Sequence, residues 1–209
     1  MCMILQLLSY LLGTMTNIIP NNLFLQCVML ISPFIPLFIM AYTYSLRLVN
    51  AIESYKYERN NVLMSCFTTF FLGITSSHFF RMVNIIDDSI ITQAVLYTTT
   101  IFFSLTVLVF LFPNVYILSL GGPLFSALNI LIVSQILNYF YGSYDFFIFE
   151  TVVGLFVFMG FIVYDTFVLL YTANLEIPNY ALRSLSITLD ILNIFVRVVT
   201  YLINKKKKN

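Results

Sequence analysis

Charged side chains are scarce in this chain. Asp, Glu, Lys and Arg make up 9% of its 209 residues, against roughly 25% in a soluble globular domain. That deficit excludes an ordinary soluble domain. Between Ser89 and Tyr144 there is no Asp, Glu, Lys, Arg or His at all. A stretch of that length crosses a bilayer more than once, since one crossing takes about 20 apolar residues. Cysteine and histidine are sparse too. The three cysteines, Cys2, Cys27 and Cys66, show no CxxC spacing and read as small buried hydrophobes, without a disulfide framework or a metal site. The single His78 ends an apolar run with no second His or Cys nearby, which suits an interfacial side chain better than a ligand. The first 20 residues lack a basic n-region and a small-x-small cleavage site, so they read as a retained membrane segment and not as a signal peptide. No internal repeat and no long linker is visible. Residues 1–204 therefore read as a single transmembrane domain and 205–209 as a basic tail. Neither an enzymatic activity nor a nucleic-acid partner is expected.

What is present is apolar. The chain is 60% hydrophobic and 17% aromatic, with a mean hydropathy of +0.95. Seven apolar segments are expected, over 2–20, 23–45, 62–81, 89–112, 115–141, 146–172 and 185–204. Each is long enough for a membrane helix, and backbone hydrogen bonding in lipid makes helices the default. The expected fold is thus an all-α integral membrane bundle. Pro20, Asn21 and Asn22 predict a turn between the first two segments. Pro33 and Pro36 predict a bend in the second. Pro113 and Asn114 separate the fourth from the fifth. Gly121, Gly122 and Pro123, followed by Ser126 and Ala127, predict a kink or a close helix contact.

The loops carry the topology signal. Arg47, Lys56 and Arg59 fall between segments two and three, Arg81, Asp87 and Asp88 between three and four, Asp145 between five and six, and Arg183 between six and seven. Lys205–Lys208 form the tail. The positive-inside rule favours a cytosolic side for both the two-three loop and the tail. Four crossings separate them if segment seven enters and leaves on one side, so charge alone predicts six spans plus a re-entrant or buried seventh segment. Segment seven also carries Arg183, Asp190 and Arg197 at seven-residue intervals, near one helical stripe. Such a stripe has to face the protein interior or a wet cavity.

Asp165 and Asp190 are the two acids embedded in apolar runs. If segments six and seven form an antiparallel pair about the loop near 173–184, the two acids fall at similar depth. Two carboxylates in a low-dielectric site cannot both ionise freely, so the pair shares a proton. A divalent cation such as Ca²⁺, which prefers oxygen ligands, can replace that proton. Arg59, at the entry to segment three, and Arg197 are candidate charge partners; a structural ion pair with either is the plainer reading of each Asp. Glu150 lies fifteen residues before Asp165, about 22 Å away along a helix. It is a candidate pore mouth that attracts cations, or simply an interfacial side chain.

At these residues the chain resembles the Bax inhibitor-1 family, also called the transmembrane Bax inhibitor motif family. The family pattern F-E-x-x-x-G-L-x-V-F with a following Y-D-T is met by Phe149-Glu150, Gly154-Leu155, Val157-Phe158 and Tyr164-Asp165-Thr166. Leu189-Asp190, Phe195 and Arg197 meet its second part, and LSLGGPLFSALNILIVSQILNYFYGS resembles its L-G-G-x-L-x-S-A-L run. Glu58-Arg59 matches the basic entry to its third helix. The resemblance covers about residues 40–204. It departs in the missing hydrophilic N-terminal arm, in FVLLYTANLEIPNY after Tyr-Asp-Thr, and in Ile191 after the second Asp. The resemblance implies a seven-helix bundle with a central last helix. It also implies a di-aspartyl pH sensor, here Asp165 and Asp190, with Arg59 as latch partner. It further implies a pH-sensitive Ca²⁺ leak that suppresses cell death at the endoplasmic reticulum, with cell-death regulators of the Bcl-2 type as candidate protein partners.

Lys206 and Lys207 stand third and fourth from the end of the sequence, which fits a dilysine retrieval signal for a multi-pass endoplasmic-reticulum membrane protein. A polybasic tail on anionic lipid is the plainer reading. A proton-coupled cation exchanger and a non-conducting anti-apoptotic scaffold are alternative functions. An intramembrane aspartyl protease of the presenilin type shares the Tyr164-Asp165 pair. However, Ile187, Thr188 and Leu189 stand where Gly-x-Gly would precede the second Asp, and the Pro-Ala-Leu motif is absent.

Overall fold

The computed structural model describes residues 2–16, 32–50, 54–172 and 180–208. Among them every regular element is helical. In chain order these are α1 (Cys2–Met15), α2 (Phe34–Asn50), α3 (Ser54–Ile86), α4 (Asp88–Leu111), a 3-10 turn (Val115–Leu120), α5 (Gly121–Tyr141), α6 (Tyr144–Thr172) and α7 (Tyr180–Lys208). The expected all-α membrane architecture is what the chain forms. Five stretches are long and apolar enough to cross a membrane: Glu58–Ile86, Ser89–Leu111, Val115–Tyr141, Tyr144–Thr172 and Tyr180–Lys206. The described parts of the first two expected segments, Cys2–Met15 and Phe34–Thr43, are shorter. Residues 17–31 of these segments lie outside the described residues, as does the turn expected at Pro20, Asn21 and Asn22.

Helix ends follow local chemistry. Asp87 alone separates α3 from α4. Its backbone is extended (φ −171°, ψ 121°) and its carboxylate accepts the Ser89 N–H at 2.8 Å, an N-cap. Helix α4 stops at Leu111, two residues before Pro113, because a residue preceding proline is driven out of the α region. Asn114 then caps the 3-10 turn, accepting the Tyr116 N–H at 3.1 Å. The bend expected at Pro33 and Pro36 has no cause here. Pro33 precedes α2, and Pro36 sits in its first turn, where a backbone N–H has no intrahelical acceptor to lose. Arg81 lies inside α3 and Asp145 in the first turn of α6, so neither occupies the loop expected for it. Hydroxyls on the membrane helices donate back to their own backbone: Thr100 to Leu96 O at 2.8 Å, Ser104 to Thr100 O at 2.7 Å, Thr200 to Val196 O at 2.8 Å. This satisfies them without water.

The chain divides into two compact units, Met1–Ile85 with Ala173–Thr188, and Ile86–Thr172 with Leu189–Asn209. In the first unit, α1 and α3 cross at Gly13 and Gly73. A Cβ on Gly13 would run into the Phe70 carbonyl oxygen, and one on Gly73 into that of Tyr10. Bare backbone is what lets the two helices approach so closely. In the second unit, α6 packs against α4, α5 and the 3-10 turn. The close contact expected near Gly121 is realised there: a Cβ would lie 2.9 Å from the Tyr164 hydroxyl. Gly122 faces open space and Ser126 is exposed, so they take no part in it.

Helix α7 supplies residues to both units. It is the most enclosed of the five long spans, 39% buried against 6% for Val115–Tyr141. It is also one unbroken helix of 29 residues, about 43 Å at 1.5 Å per residue. The re-entrant form that the charge distribution favours is not the one it takes. An apolar run with no proline or glycine has nothing to turn it back.

Candidate functional site

The two embedded acids meet. Asp165, from the second half of α6, and Asp190, from the first half of α7, both belong to the second unit, and each is 7% exposed. Their side chains are hydrogen-bonded to one another. A hydrogen bond between two carboxyl groups requires that one of them hold a proton. Asp190 Oδ2 and, one residue along from Asp165, Thr166 Oγ1 are buried without a hydrogen-bond partner. Among the described residues no third Asp, Glu, His or Cys joins the pair to make a metal cluster. Two carboxylates offer four oxygens at most, short of the six to eight that Ca²⁺ takes.

Arg197 does not sit with this pair. Seven residues of helix, about 10 Å of rise, carry it instead to the other end of α6. There its guanidinium lies 5.2 Å from the centroid of the Phe158 ring, and Nη1 donates to the Glu150 carbonyl at 3.3 Å. A Cβ on Gly154 would collide with the guanidinium, so that glycine is the space the arginine occupies. Glu150 lies in the second turn of α6. It is 5% exposed, and its carboxylate accepts Ser134 Oγ at 2.5 Å and Asn138 Nδ2 at 3.1 Å from α5. Beside Glu150 and Arg197 is a half-open cleft of ≈ 260 Å³, lined also by Gln135, Thr151, Asn193 and Thr200. Arg59 is exposed near the start of α3 and belongs to the first unit. Lys206 forms an ion pair with Asp87, while the Lys207 side chain lies outside the described residues.

Sequence reasoning missed a polar cluster in the first unit. Gln6, fully buried, donates to Ser65 Oγ at 2.8 Å, Ser184 Oγ at 3.0 Å and Ala181 O at 3.3 Å, and accepts from Thr188 Oγ1 at 3.0 Å. One amide thereby ties together α1, α3 and the start of α7. The available signal was an uncharged amide in the apolar run MILQLLSYLL. The Ser134 and Asn138 partners of Glu150 were legible only as an i, i+4 polar pair on α5.

Residues 1–207 match the family described as inhibitor of apoptosis-promoting Bax1. The chain belongs to the Bax inhibitor family. It is similar to the Golgi anti-apoptotic protein of vaccinia virus (strain Lister), 30% identical over 203 residues, which is 96% of this chain and 82% of that one. It is also similar to Bax inhibitor 1 of Homo sapiens, 32% identical over 124 residues, 59% of this chain and 52% of the human one. A third relative is the probable Bax inhibitor 1 of Paralichthys olivaceus, 33% identical over 124 residues, with the same two shares. In this Bax inhibitor family member the motif residues sort into two clusters. Asp165 and Asp190 form one. Glu150, Gly154, Phe158 and Arg197 form the other, at the opposite end of α6.

Proposed function

We propose that this chain is an anti-apoptotic membrane protein that passes Ca²⁺ at a rate set by proton occupancy of the Asp165–Asp190 pair. The observation that carries this reading is the contact itself: two buried carboxyls on α6 and α7, hydrogen-bonded to each other, with one oxygen of Asp190 unpartnered. With a proton between them the carboxyls hold α6 and α7 together. Without it, two like charges in a medium of low dielectric repel. Ca²⁺ and the proton compete for the same oxygens. The relatives named Bax inhibitor 1 and Golgi anti-apoptotic protein support the role in cell death.

The test is Ca²⁺ flux into proteoliposomes that hold the purified chain, at neutral and mildly acidic pH. Wild type gives a pH-dependent flux, and the Ca²⁺ concentration for half-maximal flux rises as pH falls, because protons displace the cation. Asp165→Asn and Asp190→Asn each remove the pH dependence. Both variants keeping the wild-type profile would sink the gate. Flux that also drives protons outward against Ca²⁺ would make the chain an exchanger. No flux from folded protein would make it a scaffold acting through Bcl-2-type partners.

The membrane we assign is that of the endoplasmic reticulum. The Golgi is the second reading, favoured by the name of the vaccinia relative and by the engagement of Lys206 with Asp87. Co-localisation of the tagged chain with markers of the two compartments decides between them, and Lys206→Ala with Lys207→Ala tests retrieval.

A further inference from the structure

The cleft beside Glu150 and Arg197 is chemically out of place. It lies against α5, whose span is only 6% buried. Yet Gln135 and Asn193, both exposed, stand at its rim, and no hydrogen bond of their side chains occurs among the described residues. Arg197 has five N–H donors and uses one of them, on the Glu150 carbonyl. Unpaired amides and guanidinium donors are costly in hydrocarbon. The cleft therefore calls for an occupant with several acceptor oxygens. The Glu150 carboxylate, which also lines the cleft and acts on Arg197 through its charge, hydrogen-bonds Ser134 and Asn138 and makes no ion pair with Arg197 among the described residues.

The depth of the cleft narrows the choice. Tyr144, the first residue of α6, donates its hydroxyl to Asn204 O near the end of α7 at 3.3 Å, which fixes the level of that end of the second unit. Helix α6 has 29 residues, about 43 Å against a hydrocarbon thickness of roughly 30 Å, so each end overhangs by about 7 Å. Glu150 is six residues in from Tyr144, about 9 Å. The cleft thus sits at the boundary between acyl chains and headgroups, and Arg197 can extend toward the headgroups as long basic side chains do. Lys205 and Lys206 follow on the same helix end, both exposed.

We propose that this cleft binds the phosphodiester of a membrane phospholipid. Arg197 takes the phosphate through its free N–H edge, Gln135 and Asn193 hydrogen-bond the phosphate or glycerol ester oxygens, and the acyl chains lie outward along Phe147 and Val196. A planar guanidinium matches two phosphate oxygens at once, which an ammonium does not. The proposal does not depend on Ca²⁺ passage.

The experiment is native mass spectrometry of the purified full chain, titrated with phosphatidylglycerol, with diacylglycerol and with inorganic phosphate, alongside melting temperatures in the same detergent. Wild type retains one phosphatidylglycerol and gains melting temperature with it, since a ligand of the folded state stabilises. Diacylglycerol, which lacks the phosphate, does neither. Arg197→Gln weakens retention about tenfold or more and abolishes the melting shift, and Arg197→Lys recovers part of it. Gln135→Leu and Asn193→Leu, at exposed positions, reduce retention severalfold while the lipid-free melting temperature stays put. Equal retention by wild type, Arg197→Gln and Asn193→Leu overturns the proposal. So does binding of inorganic phosphate that competes fully with the lipid, which would mark a free-anion site.

Discussion

Asp165 and Gln6 show two ways in which a polar side chain is held inside an apolar protein. Asp165 is matched by a second buried carboxyl, Asp190. Gln6 is matched by hydroxyls and a carbonyl, none of which titrates in the physiological range, and it responds to nothing. The second arrangement is a fastening. Ser65 and Ser184 each also donate to a carbonyl of their own helix, at 2.8 and 3.1 Å, and the single Thr188 hydroxyl hydrogen is shared between Gln6 and Ser184 O, 2.8 Å away. Loss of the amide therefore leaves those hydroxyls with a partner. Gln6→Leu should cost about 1–2 kcal/mol, the net value of the bonds lost. Gln6→Glu should cost more, because its carboxylate would put an acceptor against the Ala181 carbonyl and bury a charge. Equilibrium unfolding of the two variants in detergent gives the order. A Gln6→Glu chain as stable as wild type would remove the amide from this role.

Among the helices, glycine decides where backbones touch. Gly13 and Gly73 each face a carbonyl oxygen of the opposite helix, and Gly122 faces nothing within 4 Å. Gly73→Ala should force α1 and α3 apart and destabilise by about 1–3 kcal/mol, the usual range for overpacking. Gly122→Ala should be neutral or stabilising by up to about 1 kcal/mol, since alanine is the better helix former. Melting temperatures of the two proteins separate steric from propensity effects, and equal shifts would contradict the crossing at Gly13 and Gly73. The same logic explains Gly154, where the obstacle is a side chain: the Arg197 guanidinium fills the space a Cβ would need.

For the molecule as a whole, the continuity of α7 sets the topology. A helix of 29 residues, about 43 Å, exceeds a hydrocarbon core of roughly 30 Å. Its two ends should open on opposite sides of the membrane. With Cys2, Cys27 and Cys66 replaced, single cysteines at Tyr180 and Lys206, both exposed, should react with a membrane-impermeant maleimide from opposite faces of sealed vesicles. Labelling of both from one face would restore the re-entrant topology. Few loops carry lysines and arginines, and in the tail Lys206 is engaged by Asp87, which precedes α4.

Much of the architecture was written in composition and pattern. Long uncharged runs admit only helices in lipid, so the all-α membrane class followed from hydropathy. The breaks at Asp87, Pro113 and Asn114 followed from capping and proline chemistry, which act over a few residues. The candidate acid pair was legible because a charge in an apolar run is rare enough to be noticed alone, and the short connection between α6 and α7 put both acids at one depth. What the linear order could not fix were contacts that depend on the rotation of one helix against another. Pairing Arg197 with Glu150 and not with Asp190, seating Glu150 on Ser134 and Asn138, and closing four hydrogen bonds on Gln6 from residues 59 to 182 positions away are decisions of tertiary packing. Helix faces with nearly uniform apolarity carry no periodic signal of which side turns inward, and only the assembled neighbours select it.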